Sequence, residues 1–408
     1  MQGGKHTMRR TFVLAGAAAM LFALAPAAQA DPVGDLLAPP RDPAAYLPTP
    51  LGDSWFDPPA GFETRSPGAV LNSRSVAVLP GTTSTQLLFR STDSKYNPIA
   101  AATTVIVPDA PWTGGGPRPV VAYNEATDSL GNACAPSYTL PRGTNKEIDR
   151  VGDLLGRGYA VVVTDYQGPR QAYSAGIVSG HTVLDGLRAS RTAGVSPDAP
   201  IGITGYSGGA IASGWAAQLA PGYAPELNIV GVAFGGPPTD YNILQRSLNG
   251  GIGSGLFAAA TTGLAREYPE LLDSTNDTGR RIALLQKDQC VDVLSYSGLL
   301  LLDQRDFSTS PDVFDEPLTR AIVEENRMGR NKPEAPIYIY QGLQDFLIPK
   351  AGAEAVQDQW CAMAASVHLE LVPGDHAAAE GNGRPGAFAW LDERLAGVPT
   401  GGCERVVR

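Results

Sequence analysis

One five-residue turn, Gly205-Tyr206-Ser207-Gly208-Gly209, constrains this chain more than any other stretch. Before it, Ala199-Pro200-Ile201-Gly202-Ile203-Thr204 reads as a short strand entered through a proline. After it, residues 210–219 repeat small and large apolar side chains at three- and four-residue steps, the period of a helix. A serine therefore sits where a strand turns sharply into a helix, with a glycine two residues to either side. Such a turn strains the backbone of its central residue, and a Cβ at either glycine would strike the neighbouring strand or helix. The helix N-terminus behind Ser207 offers free N–H groups suited to a developing negative charge. A glycine-rich loop with an inert serine would show the same bare pattern, so the reading depends on partners elsewhere in the chain.

The surrounding pattern predicts a parallel α/β sheet. Residues 85–91 and 99–107 are β-rich and separated by a turn cluster at Asp93, Ser94, Asn97 and Pro98. Val120-Val121-Ala122-Tyr123 is a short apolar run ending at Asn124-Glu125. Thr144 and Glu147 have the spacing of a capping box for a helix running to about Leu155. Residues 159–165 form an unbroken apolar run of the kind buried on both faces of a parallel sheet. A helix over 181–193 ends at Gly194, the turn follows, and residues 229–234 form the next strand. From 239 to 333 no strand is expected; helices are expected over 255–268, 280–286 and 318–326. This stretch is too long for a loop and reads as a helical cap inserted into the sheet. The sheet resumes at 336–342, a helix follows Pro349 to about Ala365, 367–372 is the last expected strand, and 388–396 closes the chain as a helix. The resulting division is a leader over 1–30, a proline-rich arm over 31–68, a core over 69–238, the cap over 239–333 and the rest of the core over 334–408.

Residues 1–30 have the form of a secretory signal: Lys5, Arg9 and Arg10, an apolar stretch from Phe12 to Ala25, then Ala28-Gln29-Ala30 as a cleavage site. The apolar run is too short to span a bilayer. Arg9-Arg10-Thr11-Phe12 loosely follows a twin-arginine signal, which leaves either bacterial export route open. The leader carries three positive charges and no acid, so its removal takes the net charge from −10 to −13. An acidic mature chain argues against nucleic acid and against stable insertion in anionic membranes, and suits a neutral ester at a lipid–water interface. The four cysteines, Cys134, Cys290, Cys361 and Cys403, lack metal-site spacing; an even count in an exported chain predicts two disulfides, with three pairings open.

A hydrolytic serine on such a turn needs an acid and then a histidine, in that chain order. Of four histidines, His6 is in the leader, His181 precedes Ser207 and His368 lies inside a strand. His376, just past a strand end in Pro373-Gly374-Asp375-His376, lies where loops gather at the carboxyl edge of a parallel sheet. Asp345, just past the preceding strand, reaches the same edge; Asp375 is its rival but adjoins His376, and neighbours seldom direct both side chains to one hydrogen bond. The Gly208 N–H supplies one oxyanion donor. The second is expected from the loop after the 120–123 strand, at Asn124-Glu125-Ala126, where the Glu125 carboxylate must be protonated or turned away to avoid repelling the anion.

Several blocks in one order resemble the secretory lipase family, the lipase A type of yeasts and its actinobacterial relatives, within the α/β-hydrolases. They are Tyr123-Asn124-Glu125-Ala126-Thr127, Cys134-Ala135-Pro136-Ser137-Tyr138, Asp165-Tyr166-Gln167-Gly168, Leu184-Asp185-Gly186-Leu187-Arg188-Ala189, the Ser207 turn, Gly235-Gly236-Pro237, Gln341-Gly342-Leu343-Gln344-Asp345 and His376. The resemblance implies an α/β-hydrolase with a helical cap, acting on acyl esters through Ser207, Asp345 and His376, with Gly208 and Glu125 at the oxyanion hole. The family pattern favours aspartate at the second position, so the glutamate counts there for its backbone. The resemblance also implies the disulfides Cys134–Cys290 and Cys361–Cys403, and a chemistry that needs no metal or cofactor. A short-chain carboxylesterase or an acyltransferase would use the same residues; a non-catalytic member would lack one of the three.

Overall fold

The computed structural model describes Gly34 and residues 37–408; the expected leader lies outside the described residues. The strands are β1 (Val70–Val76), β2 (Thr82–Thr92), β3 (Pro98–Pro108), β4 (Val120–Asn124), β5 (Ala160–Thr164), β6 (Ile201–Tyr206), β7 (Ile229–Gly235), β8 (Ile337–Gly342), β9 (Val367–Val372) and β10 (Cys403–Val407). They form one sheet in the order β1-β2-β3-β5-β4-β6-β7-β8-β9-β10. β1, β2, β3 and β5 pair antiparallel; from β5 across to β10 every pairing is parallel. The chain leaves β4 for β5 on one side and then crosses back to β6 on the other. This reversal makes a crevice at the carboxyl ends of β4 and β6, the place where sheets of this kind hold ligands.

The parallel strands are buried along their whole length, β5 as Ala-Val-Val-Val-Thr and β6 as Ile-Gly-Ile-Thr-Gly-Tyr. Helices cover both faces, as such strands require. On one face Leu184, Trp215, Phe234 and Trp360 share a core. On the other, Val151, Leu154, Tyr338, Tyr340, Phe388 and Leu391 do so. A third cluster, with Tyr241, Phe257, Leu264 and Ile322, lies in the stretch between β7 and β8 and reaches Leu130 and Tyr173 of the core. Fully burying one side chain the size of Phe234 stabilises the fold by about 2–3 kcal/mol.

Between β7 and β8 run five α-helices, Tyr241–Leu248, Ser254–Glu267, Asp277–Gln286, Val291–Tyr296 and Pro317–Glu325, joined by short 3₁₀ turns. The one β contact there is an isolated bridge between Thr275 and Ser308. No helix among the described residues is long and apolar enough to cross a membrane.

Three local expectations need correction. Glu147 does not close a capping box with Thr144. Its carboxylate accepts from Tyr123 Oη at 2.5 Å and from the Ala126 N–H at 3.3 Å, while Asn145 Oδ1 takes the Glu147 N–H at 3.0 Å. The closing helix begins at His376, not near 388, and runs to Leu395, with Pro385 inside it. Its N-cap is Asp375, whose Oδ1 accepts the Ala378 N–H at 3.0 Å. Glycines disguise its first half in the sequence. A Cβ on Gly383 would overlap the Tyr340 ring, so glycine lets this helix lie directly on the sheet. Strand β10 was not expected at all. It is largely exposed and pairs parallel with β9, Cys403 opposite Val367.

Both disulfides join as the resemblance implied, with Cα–Cα distances of 5.5 Å for Cys134–Cys290 and 5.9 Å for Cys361–Cys403. The second pins β10 at the amino end of β9, opposite the edge that carries His376. Opening this loop, whose ends lie 42 residues apart, is expected to lower stability by about 4 kcal/mol in the chain-entropy account. A Cys361→Ser/Cys403→Ser variant should therefore melt earlier while keeping kcat on a soluble ester. Loss of kcat at an unchanged melting temperature would contradict this placement.

Candidate active site

Ser207 follows β6 directly and has φ 53° and ψ −116°, a conformation that non-glycine residues seldom adopt. Close packing explains the flanking glycines. A Cβ on Gly205 would sit 2.6 Å from the Asn124 carbonyl oxygen, and one on Gly209 would overlap that same oxygen. The carboxyl end of β4 thus presses against the turn from the side.

The three residues expected to act together are brought together. Ser207 Oγ lies 2.9 Å from His376 Nε2, and His376 Nδ1 lies 2.7 Å from Asp345 Oδ2. The Asp345 carboxylate is buried and held on both oxygens. Oδ1 accepts the N–H groups of Leu347 at 3.1 Å and Ile348 at 2.8 Å, and Oδ2 accepts from Gln341 Nε2 at 3.0 Å. His376 is held by its position at the first turn of the closing helix and by Tyr206. The Tyr206 hydroxyl donates to the His376 carbonyl, and its ring lies 5.1 Å from the imidazole. Asp375 points into its own helix cap.

The other histidines lie elsewhere. His368 pairs with Glu404 across β9 and β10 at 3.2 Å. His181 is buried inside the helix Gly176–Ser190, stacked on Tyr223 at 4.2 Å; burial pushes its pKa down to about 4.

The loop after β4 carries two acids, Glu125 and Asp128. The Glu125 carboxyl turns to Asn145, whose Nδ2 donates to Oε2. Burial first, then the nearby Glu147 carboxylate, pushes the Glu125 pKa up to about 8. The acid that faces the serine turn is Asp128, three residues on. A Cβ on Gly208 would overlap Asp128 Oδ1, and this oxygen is buried with no hydrogen-bond partner. The Gly208 N–H is near enough to favour the ionised form slightly. Burial outweighs it, and the Asp128 pKa rises to about 7. Asp128 also has a positive φ, 41°. Two backbone-strained residues, Ser207 and Asp128, therefore flank the space above the Gly208 N–H. The sequence carries a signal for Asp128: it is the one charged residue from Ala126 through Pro141, a loop that is otherwise polar or apolar.

A doubly wound sheet with a strained serine at its switch point and a histidine–aspartate pair behind it is the architecture of an α/β-hydrolase. The family comparison makes the class specific. This chain belongs to the secretory lipase family, whose model matches residues 139–403, and it is a carboxylic ester hydrolase. It is 36% identical over 374 residues to a protein of Mycobacterium tuberculosis (strain CDC 1551 / Oshkosh) named a probable inactive lipase, covering 86% of this chain and 83% of that one. It is 31% identical over 382 residues to a secreted triacylglycerol lipase of Malassezia restricta, covering 86% of this chain and 81% of the relative. Its fold superposes on Candida antarctica lipase A in its closed state with a TM-score of 0.81 at 27% identity, over 88% of this chain and 89% of that one. The resemblance read from the sequence is borne out.

Buried acids with raised pKa values make stability depend on pH. Unfolded, these carboxyls lose their protons near pH 4; folded, Asp128 and Glu125 hold theirs to about 7 and about 8. The folded state binds more protons between those limits, so stability falls as pH rises. The buried His181, with its pKa down at about 4, opposes this trend while the unfolded imidazole still holds part of a proton near pH 6.5, and the two raised acids outweigh it. The urea midpoint should drop between about pH 6.5 and about pH 8.5, and Glu125→Gln should flatten the drop. A midpoint that rises over this interval would contradict the protonated assignment.

Proposed function

We propose that this protein is an exported lipase that hydrolyses long acyl esters, triacylglycerols included, through an acyl-enzyme on Ser207. The observation that carries the reading is the unbroken chain from Ser207 Oγ through the His376 imidazole to Asp345, set on a strained strand–helix turn. His376 takes the serine proton as Oγ attacks the ester carbonyl. The tetrahedral oxyanion accepts hydrogen bonds from the Gly208 N–H and from the protonated Asp128 carboxyl, which takes the role expected of Glu125. His376 then gives its proton to the departing alcohol, leaving the acyl group on Ser207. Water, deprotonated by the same histidine, releases the acid and restores the serine. Asp345 keeps Nδ1 protonated, so that Nε2 is free to accept.

Residues 239–333 act as the cap. Their helices hold an apolar slot lined by Tyr241, Phe257, Leu264, Phe314, Ile322 and Val323, apart from the residues of the Ser207 relay. Export is supported by the secretory family and by the secreted relative. One relative carries an inactive designation in its name; here all three residues of the relay are present and in contact.

The first test is rate against acyl length on p-nitrophenyl esters, followed by a triolein emulsion. Rates should climb past the butyrate ester. A steady fall beyond butyrate would make the protein a short-chain carboxylesterase, and ester formation with added alcohol an acyltransferase. No turnover and no labelling of Ser207 by a fluorophosphonate would leave a non-catalytic binding protein. Ser207→Ala and His376→Ala should each cost about 10⁶-fold in kcat, and Asp345→Ala about 10⁴-fold.

Asp128 has its own signature. Asp128→Ala should cost about 10²–10³-fold in kcat by removing an oxyanion donor. Asp128→Asn keeps a donor and cannot ionise. It should stay within about tenfold of wild type and lose the decline of kcat/KM that sets in above about pH 7. Equal losses in the two variants, with the alkaline limb intact, would remove Asp128 from the oxyanion hole.

A further inference from the structure

Asp128 Oδ1 is buried against Gly208 without a hydrogen-bond partner, so no neighbouring group holds that oxygen in place. Its direction is set by the backbone that carries it. That backbone has φ 41°, which a non-glycine residue keeps only where its surroundings over-determine it. Two peptide planes meet at the Asp128 Cα, one containing the Thr127 carbonyl and the other the Ser129 N–H. Their orientations are the φ and ψ of Asp128.

Both planes are held by side chains. The Ser129 hydroxyl donates to the Thr127 carbonyl. The same hydroxyl accepts the Val291 N–H at 3.0 Å, which leaves its proton for Thr127. The Gln167 carboxamide grips Ser129 at two points. Nε2 donates to the Ser129 carbonyl at 2.8 Å, and Oε1 accepts the Ser129 N–H at 3.5 Å. The shorter bond anchors Ser129, and the longer one steadies the plane that Ser129 shares with Asp128. Gln167 and Ser129 are 2% and 1% exposed, so water does not compete for these bonds.

Gln167 has a rigid base from which to do this. It lies three residues past the end of β5, beside the loop that follows β4. The Asp165 N–H donates to the Ala102 carbonyl of β3 at 2.9 Å, and the Ala172 N–H donates to the Gln167 carbonyl at 2.8 Å. Thr182 Oγ1, from the helix Gly176–Ser190, donates to the Tyr166 carbonyl at 2.8 Å. A side chain fixed to the sheet therefore reaches across to the residue next to Asp128.

We propose that Gln167 is a positioning residue of the oxyanion hole, holding the Asp128 carboxyl beside Gly208 by clamping Ser129, with the Ser129 hydroxyl as the second point of attachment. This rests on the reading of Asp128 as an oxyanion donor. Gln167 acts through Asp128 and not on the substrate. Without the clamp Asp128 can leave its left-handed conformation, and its carboxyl then leaves the space above the Gly208 N–H. The transition state loses one donor and keeps the other, so the loss falls on catalysis and not on ground-state binding.

The test is a double-mutant cycle on the soluble butyrate ester, using wild type, Gln167→Met, Asp128→Ala and the double variant. Methionine matches glutamine in length but offers neither the N–H donor nor the carbonyl acceptor. Gln167→Met should lower kcat and kcat/KM equally, by about 10- to 100-fold. In the Asp128→Ala background the same substitution should change kcat by less than about threefold, because the donor it positions is already gone. Ser129→Ala removes the hydroxyl and leaves the peptide group to Gln167. It should show the same dependence on Asp128 with a smaller first loss, and it decides the matter if Gln167→Met does not fold. Equal fold-losses in the two backgrounds would make the clamp purely structural and overturn the proposal. So would a rise in KM at unchanged kcat. Asp128→Ala at the wild-type rate would refute the oxyanion reading itself, and the clamp with it; a slow Asp128→Ala with multiplying losses refutes the clamp alone.

Discussion

The guanidinium of Arg266 is the point at which four segments of this molecule, distant in the chain, meet. It is almost wholly buried, and burial pushes its pKa down to about 9. Its N–H groups go to five backbone carbonyls: Tyr46 at 3.0 Å, Leu130 at 2.7 Å, Arg170 and Gln171 both at 2.9 Å, and Lys287 at 2.8 Å. Those carbonyls belong to the N-terminal arm, the loop that carries Asp128, the loop after β5 and the stretch between β7 and β8. A buried cation without adequate partners would be untenable, so each of these loops must present a carbonyl for the charge to be tolerated. The next residue extends the same knot. Glu267 accepts from Arg170 and from the Ser94 N–H at the β2–β3 turn, and Arg170 also pairs with Asp93 at 2.8 Å.

This arrangement fixes the loops against the stretch between β7 and β8 in direction, beside the apolar contacts that Leu130 and Tyr173 make with Tyr241, Phe257 and Leu264. Carbonyl dipoles converging on one cation impose directions as well as distances, which dispersion contacts do not. The Cys134–Cys290 bond acts on the same loop from its other end. Asp128 is therefore held between Arg266, which grips the Leu130 carbonyl, and the close approach of Asn124 to the Ser207 turn. A strained φ at Asp128 persists because its surroundings over-determine it.

What the sequence made legible follows from periodicity and local chemistry. β5 and β7 announce themselves as nearly unbroken apolar runs, β9 by its alternation and β6 by the proline before it and the glycine turn after it, so β4 to β9 are legible within a residue or two. Ser207, Asp345 and His376 are legible because each follows a strand end and because this fold, rather than the chemistry, sets the order serine, acid, histidine. The failures have equally physical causes. Strand β10 is exposed and is held by a disulfide and by pairing with β9, neither of which leaves an apolar period. The first half of the closing helix is rich in glycine because it packs against tyrosine rings, so its sequence resembles a loop. Glu125 is the acid the sequence reading names there because it directly follows the strand, a position that Asp128, three residues on, does not share. The loop backbone, which no local pattern encodes, turns the one acid to Asn145 and the other to Gly208.

Placing a carboxyl group beside a developing oxyanion works only under a restricted electrostatic condition. Ionised, Asp128 would oppose the charge that the site must stabilise; protonated, it donates a hydrogen bond stronger than a backbone amide gives. Burial supplies the condition, and the acids around it reinforce it, since the Glu147 carboxylate raises the pKa of both Asp128 and Glu125. Glu147 is itself fixed by Tyr123 and by the Ala126 N–H, so the acid that adds to the effect of burial at Asp128 is anchored partly to the same loop. The cost falls on stability at alkaline pH, where the fold must keep protons that the unfolded chain has already lost. A site built in this way is therefore tied to a loop that can neither relax nor become solvated, which is the mechanical role that Arg266 and the first disulfide fill.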